Sequence, residues 1–343
     1  MKQFSWIILV LLMCTMCSSG AEWQDVIDKS HSNPSAPANP EEPTDSEDPS
    51  TPEDPSNPSD PARESVVTLG VFTDAHYSAT KSPSNERYYQ NSKKKVADAV
   101  SVFNGAAVDM AVSLGDIVDN EYDDYQDIGQ ALKTLTMPFY QILGNHDFVT
   151  PFSEEQQSAA LQVLGISNRY FSIVKDDFRL IFLDGSDIAK YSNAVGSAGY
   201  REAEDIYATL RDDQEENAKA YNGAIGEAQM EWLEDELEEA TEKSQVVICF
   251  CHIPLAVDGA GKYTLWNRED MIDMLEEAKC VKAFIAGHHH EGGYADNGGF
   301  HHVTLKGMVV GENTTSYSVV KIYKDRLVID GYGREEDKEY KFR

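Results

Sequence analysis

The apolar residues of this chain fall into short runs with two alternating spacings. Val66–Thr73 (VVTLGVFT) is a continuous, β-branched run stopped by Asp74, and it predicts a buried first strand. Lys93–Asn104 instead places Val96, Val100 and Phe103 at helical intervals. Strand-like runs recur at Asp109–Leu114, Phe139–Leu143, Gln245–Cys251 and Val281–Ala286. Helical spacing recurs at Tyr125–Leu135, at Glu154–Leu164 with Gly165 as its C-cap, and at Asp270–Lys279. It is clearest at Glu227–Lys243, where Met230, Leu233, Leu237 and Ala240 share one face. Arg169–Val174 and Arg179–Asp184 predict a hairpin turning at Asp176-Asp177, and three further strands are predicted near 301–306, 316–323 and 326–331. Residues 185–225 are polar, show no clear strand, and read as an excursion or cap. Strands alternating with helices place residues 66–343 in the α/β class as one large domain without internal repeats.

Two stretches stand outside this pattern. Residues 1–17 carry Lys2, then an apolar run from Phe4 to Met13 that is too short to span a bilayer, then Cys14 and Cys17. This resembles a bacterial lipoprotein signal with Cys17 as the lipidated residue, although Met16 stands where the pattern prefers a small side chain. An ordinary signal peptide cut slightly later is the alternative. Residues 18–65 form an acidic tether. Between 20 and 65 lie 12 acids, two bases and 9 of the 13 prolines, a composition that cannot bury enough apolar surface to offset its ordering entropy. The expectation is an exported enzyme, periplasmic or at the cell surface, joined to the membrane only through a lipid anchor. Cys249, Cys251 and Cys280 are odd in number and badly spaced for disulfides, so they read as buried free thiols.

The formal net charge is −30; removing −10 for the tether and +1 for Lys2 leaves −21 on residues 66–343. Such a surface does not coat nucleic acid or an anionic membrane. An anionic substrate would need a metal ion to hold it. The strand ends supply the ligands: Asp74-x-His76, Gly115-Asp116, Gly144-Asn145-His146-Asp147, His252, and His288-His289-His290. Oxygen and imidazole donors suit Mn, Zn or Fe. In an extended segment, residues at i and i+2 point the same way, so Asp74 with His76, and His288 with His290, can each reach one ion while His289 turns away. Each signal alone has a bland reading: a capped turn, a surface loop or a core histidine. Together, each after a strand, they converge on the place where open α/β sheets carry their sites.

These blocks resemble the calcineurin-like metallophosphoesterase superfamily, with its D-x-H, G-D-x-x-[DN], G-N-H-[DE], H and G-H-x-H signatures. The resemblance implies a four-layer α/β/β/α sandwich with a two-metal centre on one edge. It implies that Asp74, His76, Asp116 and His290 hold one divalent ion and that Asp116, Asn145, His252 and His288 hold the other, with Asp116 bridging. His146 would stand over the scissile phosphate as the catalytic group and Asp147 would orient it. An in-line displacement by a water acidified between two ions about 3.5–4 Å apart is the chemistry such a centre performs. Asp119 stands where purple acid phosphatases place a Tyr ligand, which favours divalent ions, manganese first, over a coloured iron site.

The tail resembles one branch, the manganese-dependent ADP-ribose/CDP-alcohol diphosphatases. The similar segments are His288–Tyr294, Phe300–Gly307, Tyr221-Asn-Gly-Ala-Ile-Gly226 and Leu265-Trp-Asn267. The branch implies a small nucleotide substrate, with Tyr77, Tyr221, Asn222, Trp266 and Asn267 as candidate contacts by stacking and hydrogen bonding. His301 and His302 are candidate partners for the ligands. A broader phosphodiesterase or phosphomonoesterase is the alternative of the same class, and a non-catalytic surface binding protein is the alternative of another class.

Overall fold

The computed structural model describes residues 66–119, 123–148, 166, 168–296 and 299–343. The leader, Cys17, the tether and the helix expected at Glu154–Leu164 lie outside them. Among the described residues no helix is long and apolar enough to cross a membrane.

Two six-stranded sheets form the centre. The first has the order β12-β11-β10-β1-β2-β3, where β1 is Val67–Phe72, β2 Met110–Ser113, β3 Phe139–Gln141, β10 Ser316–Ile322, β11 Arg326–Gly333 and β12 Lys338–Lys341. The second has the order β4-β5-β6-β7-β9-β8, where β4 is Phe171–Lys175, β5 Phe178–Phe182, β6 Val246–Phe250, β7 Val281–Ala286, β8 Gly293–Asp296 and β9 His301–Thr304. The strands β1, β2 and β3 run parallel, as do β5, β6, β7 and β9. The ligand-bearing strands therefore open their carboxyl ends on one edge.

Alternation along each strand builds three apolar layers. Val67, Leu69 and Val71 of β1 meet Leu180, Ile248 and Ile285 between the sheets. The other face of the first sheet takes Val96, Val100 and Phe103 of α1 (Ser92–Ala106) and Ile128 and Leu132 of α2 (Asp123–Leu132). The outer face of the second sheet takes Leu233 and Leu237 of α4 (Glu227–Glu242) and Met271 and Leu275 of α5 (Arg268–Glu277). This is the expected α/β/β/α sandwich. The expected hairpin forms too, with Asp176 at φ 54° in its turn. Cys249 and Cys251 are buried, as expected of free thiols; burial pushes both up, Cys251 to about 12.

Residues 185–225 differ from expectation. They contain a 15-residue helix, α3 (Ala198–Asp212), whose first turn is capped by Ser197 accepting from the Tyr200 N–H. Ala203, Ile206, Tyr207 and Leu210 pack on Ile188, Ala224 and Trp266. Their i, i+3, i+4, i+7 spacing is a helical stripe masked by the charged residues between them. Paired backbone bonds between Ile188 and Ala224 close the base of the excursion. The polar edge strand β12 and the short β8 carry no strand signal of their own; register with β11 and β9 makes them.

His301 and His302 of β9 do not reach the site. His301 is held between the Tyr294 hydroxyl at 2.8 Å and the Lys341 carbonyl at 2.9 Å, tying the two sheets together. His302 is buried beside Phe300, with neither ring nitrogen hydrogen-bonded. Burial pulls it down to about 4. Between pH 4 and the ordinary histidine value the unfolded chain binds a proton here that the folded chain does not, so stability falls as pH drops through that window. The full shift corresponds to about 3 kcal/mol. Urea midpoints measured from pH 7 to pH 4.5 should fall less in His302→Leu than in the wild type; parallel curves would exonerate His302.

Candidate metal centre

Every candidate ligand sits just past a strand end. Asp74 and His76 follow β1, Asp116 follows β2, Asn145 and His146 open a single turn of 3-10 helix (Asn145–Asp147) after β3, His252 follows β6, and His288 and His290 follow β7. Extended alternation is not what aims them. Asp74, His76, Asp116 and His288 have φ values of 51°, 43°, 52° and 67°. Non-glycine residues hold such angles only where their surroundings over-determine them, and here backbone bonds do so. The Asp74 N–H donates to the Gly115 carbonyl at 3.1 Å and the His76 N–H to the Asp116 carbonyl at 2.8 Å. Gly144 is needed for the same closeness, because a Cβ there would enter the Asp116 carboxylate.

The side chains converge on two points. Asp116 Oδ2 lies 3.3 Å from His76 Nε2 and 3.3 Å from His252 Nε2, so one oxygen is shared by both halves. On the first side His290 Nε2 is 3.0 Å from His76 Nε2 and 3.2 Å from Asp74 Oδ1. On the second, His288 Nδ1 is 3.2 Å from His252 Nε2. Asn145 Oδ1 is buried without a hydrogen-bond partner, and Asp74 Oδ1 faces ring nitrogens, His290 Nε2 at 3.2 Å and His76 Nε2 at 3.6 Å. A buried orphan oxygen and ring nitrogens that face one another are costly unless a cation sits among them. This donor set fits two divalent ions, with Asp74, His76, Asp116 and His290 around one and Asp116, Asn145, His252 and His288 around the other.

The charges agree. Burial pushes Asp74 up, but His290, His76 and His252 hold it well below the usual carboxylate range. Burial likewise opposes ionisation of Asp116, and His252, His76 and His146 overcome it. Burial opposes the protonated rings of His76 and His252, yet Asp116 and its neighbours raise both to about 9. The pocket draws positive charge into itself. A divalent ion held by these residues would answer that demand in place of the protons.

The expected partner of His146 is corrected. Asp147 faces the backbone. Its carboxylate accepts from the N–H groups of Asp116 (2.7 Å), Ile117 (2.9 Å) and Gly144 (2.9 Å) and from the Tyr125 hydroxyl (2.6 Å), stapling the β2 and β3 loops together. Asp119 holds the ring instead: His146 Nδ1 is 2.7 Å from Asp119 Oδ1, which also lies 3.4 Å from His76 Nδ1. Lys81 pairs with the other Asp119 oxygen. With Nδ1 committed to Asp119, proton exchange falls to Nε2. Asp119 lay within the G-D-x-x-[DN] block, but spacing could not say which ring it would meet.

The sequence pattern of calcineurin-like phosphoesterases matches residues 67–292. The chain belongs to that family. It is a metal-dependent phosphoester hydrolase. Among its relatives, a manganese-dependent ADP-ribose/CDP-alcohol diphosphatase of Arabidopsis thaliana is 27% identical over 81% of this chain and 98% of its own. One of Xenopus laevis is 25% identical over 82% of this chain and 92% of its own. A dimetal phosphatase from Danio rerio superposes with a TM-score of 0.73 at 25% identity, covering 81% of this chain and 99% of that one.

The substrate side of this phosphoesterase departs from expectation in several places. Tyr77 is buried in the core beneath α1 and α2, and its hydroxyl donates to Asp127. Trp266 is buried against α3, with its indole N–H on the Lys219 carbonyl at 3.2 Å. Asn267 clamps Ile225 through both amide atoms, at 3.1 and 2.9 Å. Packing and backbone bonds occupy all three. Asn222 serves the candidate metal centre: its Oδ1 is 3.0 Å from His288 Nε2, leaving Nδ1 facing His252, where an ion would be held, while its Nδ2 donates to the Asn217 and Lys262 carbonyls. Leu114 does the same for His252, its carbonyl 2.8 Å from Nδ1. Tyr221 lies beside the centre, 5.5 Å from the His288 ring. Its neighbours, Tyr263 at 5.8 Å and His289 stacked 4.6 Å from Tyr263, went unrecognised in the sequence. They extend Tyr221 into a half-buried aromatic wall.

Proposed function

We propose that this phosphoesterase hydrolyses the phosphoanhydride of nucleoside diphosphate conjugates, ADP-ribose and CDP-alcohols among them, with manganese in both sites. The observation that carries the reading is the aromatic wall of Tyr221, Tyr263 and His289 against the ligand His288, which sets a planar surface beside the place where a phosphate must sit. The relatives' activity, over four-fifths of this chain, supports it. When bound, the two ions acidify a water and neutralise the phosphoryl oxygens. The chain's own residues do the rest. Asp116 holds the two halves in register through one oxygen, and its Oδ1 takes the His146 N–H at 2.7 Å, fixing the ring over the site. His146, oriented by Asp119, donates a proton from Nε2 to the departing oxygen. Water adds to one phosphorus, the P–O–P bond breaks, and a nucleoside monophosphate leaves with a second phosphate monoester.

A panel of ADP-ribose, CDP-choline, cyclic AMP and p-nitrophenyl phosphate, assayed with manganese and product identification, tests this. The first two should be preferred, releasing AMP and CMP. A preference for either of the others would replace the proposal with a broader phosphodiesterase or phosphomonoesterase.

A further inference from the structure

Lys95 is the only buried lysine among the described residues. It projects from α1 beneath the segment that joins β9 to β10, and no carboxylate of the described residues pairs with it. Its ammonium donates instead to four successive carbonyls: Met308 at 2.9 Å, Val309 at 3.3 Å, Val310 at 3.4 Å and Gly311 at 2.7 Å. Three protons cannot serve four acceptors one each. The arrangement is that of a dehydrated monovalent cation in a carbonyl cage, except that the cation is tethered. Among the described residues, only the Val309 carbonyl has a further donor, the Tyr88 N–H at 3.0 Å. Without positive charge, acceptors aimed at one point would repel each other and the rest would lose their partner.

The caged segment backs one half of the metal centre. The Met308 and Val309 N–H groups donate to the Thr73 and Asp74 carbonyls at 3.0 and 2.9 Å, and the Gly307 N–H to the His290 carbonyl at 3.0 Å. A Cβ at Gly307 would lie 2.9 Å from His290 Cγ and 3.1 Å from Asp74 Cβ, so the strap sits directly against both ligands. Two further cations face it: Arg334, with Nη1 3.5 Å from the His290 carbonyl and 3.4 Å from that of Gly307, and Arg87, whose backbone bridges to Val310.

We propose that Lys95 is a positioning residue for the Asp74/His290 half of the metal centre: its charge, rather than its bulk, holds the Met308–Gly311 strap that keeps Asp74 in its left-handed conformation. The claim concerns metal binding and stands whatever the substrate proves to be.

Two variants test it. Lys95→Met keeps the volume and removes the charge; Lys95→Ala empties the cage. Manganese binding by titration calorimetry, with electron paramagnetic resonance of the unbound ion, should show one of the two sites weakened about 10–100-fold in Lys95→Met, the range for losing an outer partner of a ligand, and the other little changed. In Lys95→Ala, methylammonium or potassium should restore that site at least fivefold, and tetramethylammonium should not. Leu327→Ala, between the sheets, is the control for general destabilisation and should bind both ions normally. Unchanged manganese binding in Lys95→Met overturns the proposal, as does a control that loses the same site. If Lys95→Met does not fold, Lys95→Ala decides. Recovery of fold and metal in methylammonium supports the proposal, and failure to recover overturns it.

Discussion

Replacing His146 with Ala should lower turnover of ADP-ribose by roughly 10²–10³ while both ions stay bound, towards the lower part of the range seen when a positioned acid is lost. His146 also clusters with His76 and Asp116, but in the proposed reaction it serves the substrate rather than an ion, so metal content should not move. The departing group in an anhydride is a phosphate, a weak base that needs little help from a proton. The same substitution should therefore cost more with an alkyl phosphodiester, whose alkoxide leaves badly unprotonated. Asp119→Asn should share the phenotype, since it removes the charge that orients the ring. Asp147→Asn should instead lower thermal stability, because its carboxylate collects four backbone N–H groups and the Tyr125 hydroxyl. Turnover by His146→Ala equal to wild type, or an Asp147→Asn variant that copies it with normal stability, would refute this assignment.

Replacing Asp116 with Ala should be more severe, because one oxygen serves both halves of the centre. Removing it takes a ligand from each ion and leaves His76 and His252 without the carboxylate that binds them. It also frees the His146 N–H. Metal content should fall well below two ions per chain. Transition-state stabilisation worth several kcal/mol should go with it, a loss of at least about 10³–10⁴ in turnover at saturating manganese. The remaining protein, at −21 over residues 66–343, would repel an anionic substrate rather than hold it. A variant that kept two ions and turned over within tenfold of wild type would show that Asp116 is not the bridge.

The metal ligands were legible because each stands immediately after a recognisable strand, and strand ends in a parallel sheet are brought to one edge by topology alone. That argument picked out Asp74, His76, Asp116, His252, His288 and His290 as candidates without knowing any side-chain angle, and the fold brings them together. It failed on side chains whose role depends on what faces them across the fold. Asp147 and Asp119 are both acids close to a strand end, and nothing in their spacing says that one meets backbone amides and the other an imidazole. Asn222, Trp266 and Asn267 were grouped by chemical type, yet one positions a ligand and two hold the base of the 185–225 excursion. Nothing in the helical spacing of Lys93–Asn104 singles out Lys95. Only the approach of residues 308–311, more than two hundred positions away, buries it.

By itself the sequence determined the class and the candidate donor set, since these follow from periodicity and from residue types at strand ends; the layer order came only through the family resemblance. Tertiary structure decided which acid pairs with His146, which aromatic rings flank His288, and which carbonyls the buried ammonium meets. Those contacts join segments distant in the chain, and their geometry exists only once both sheets have closed on each other.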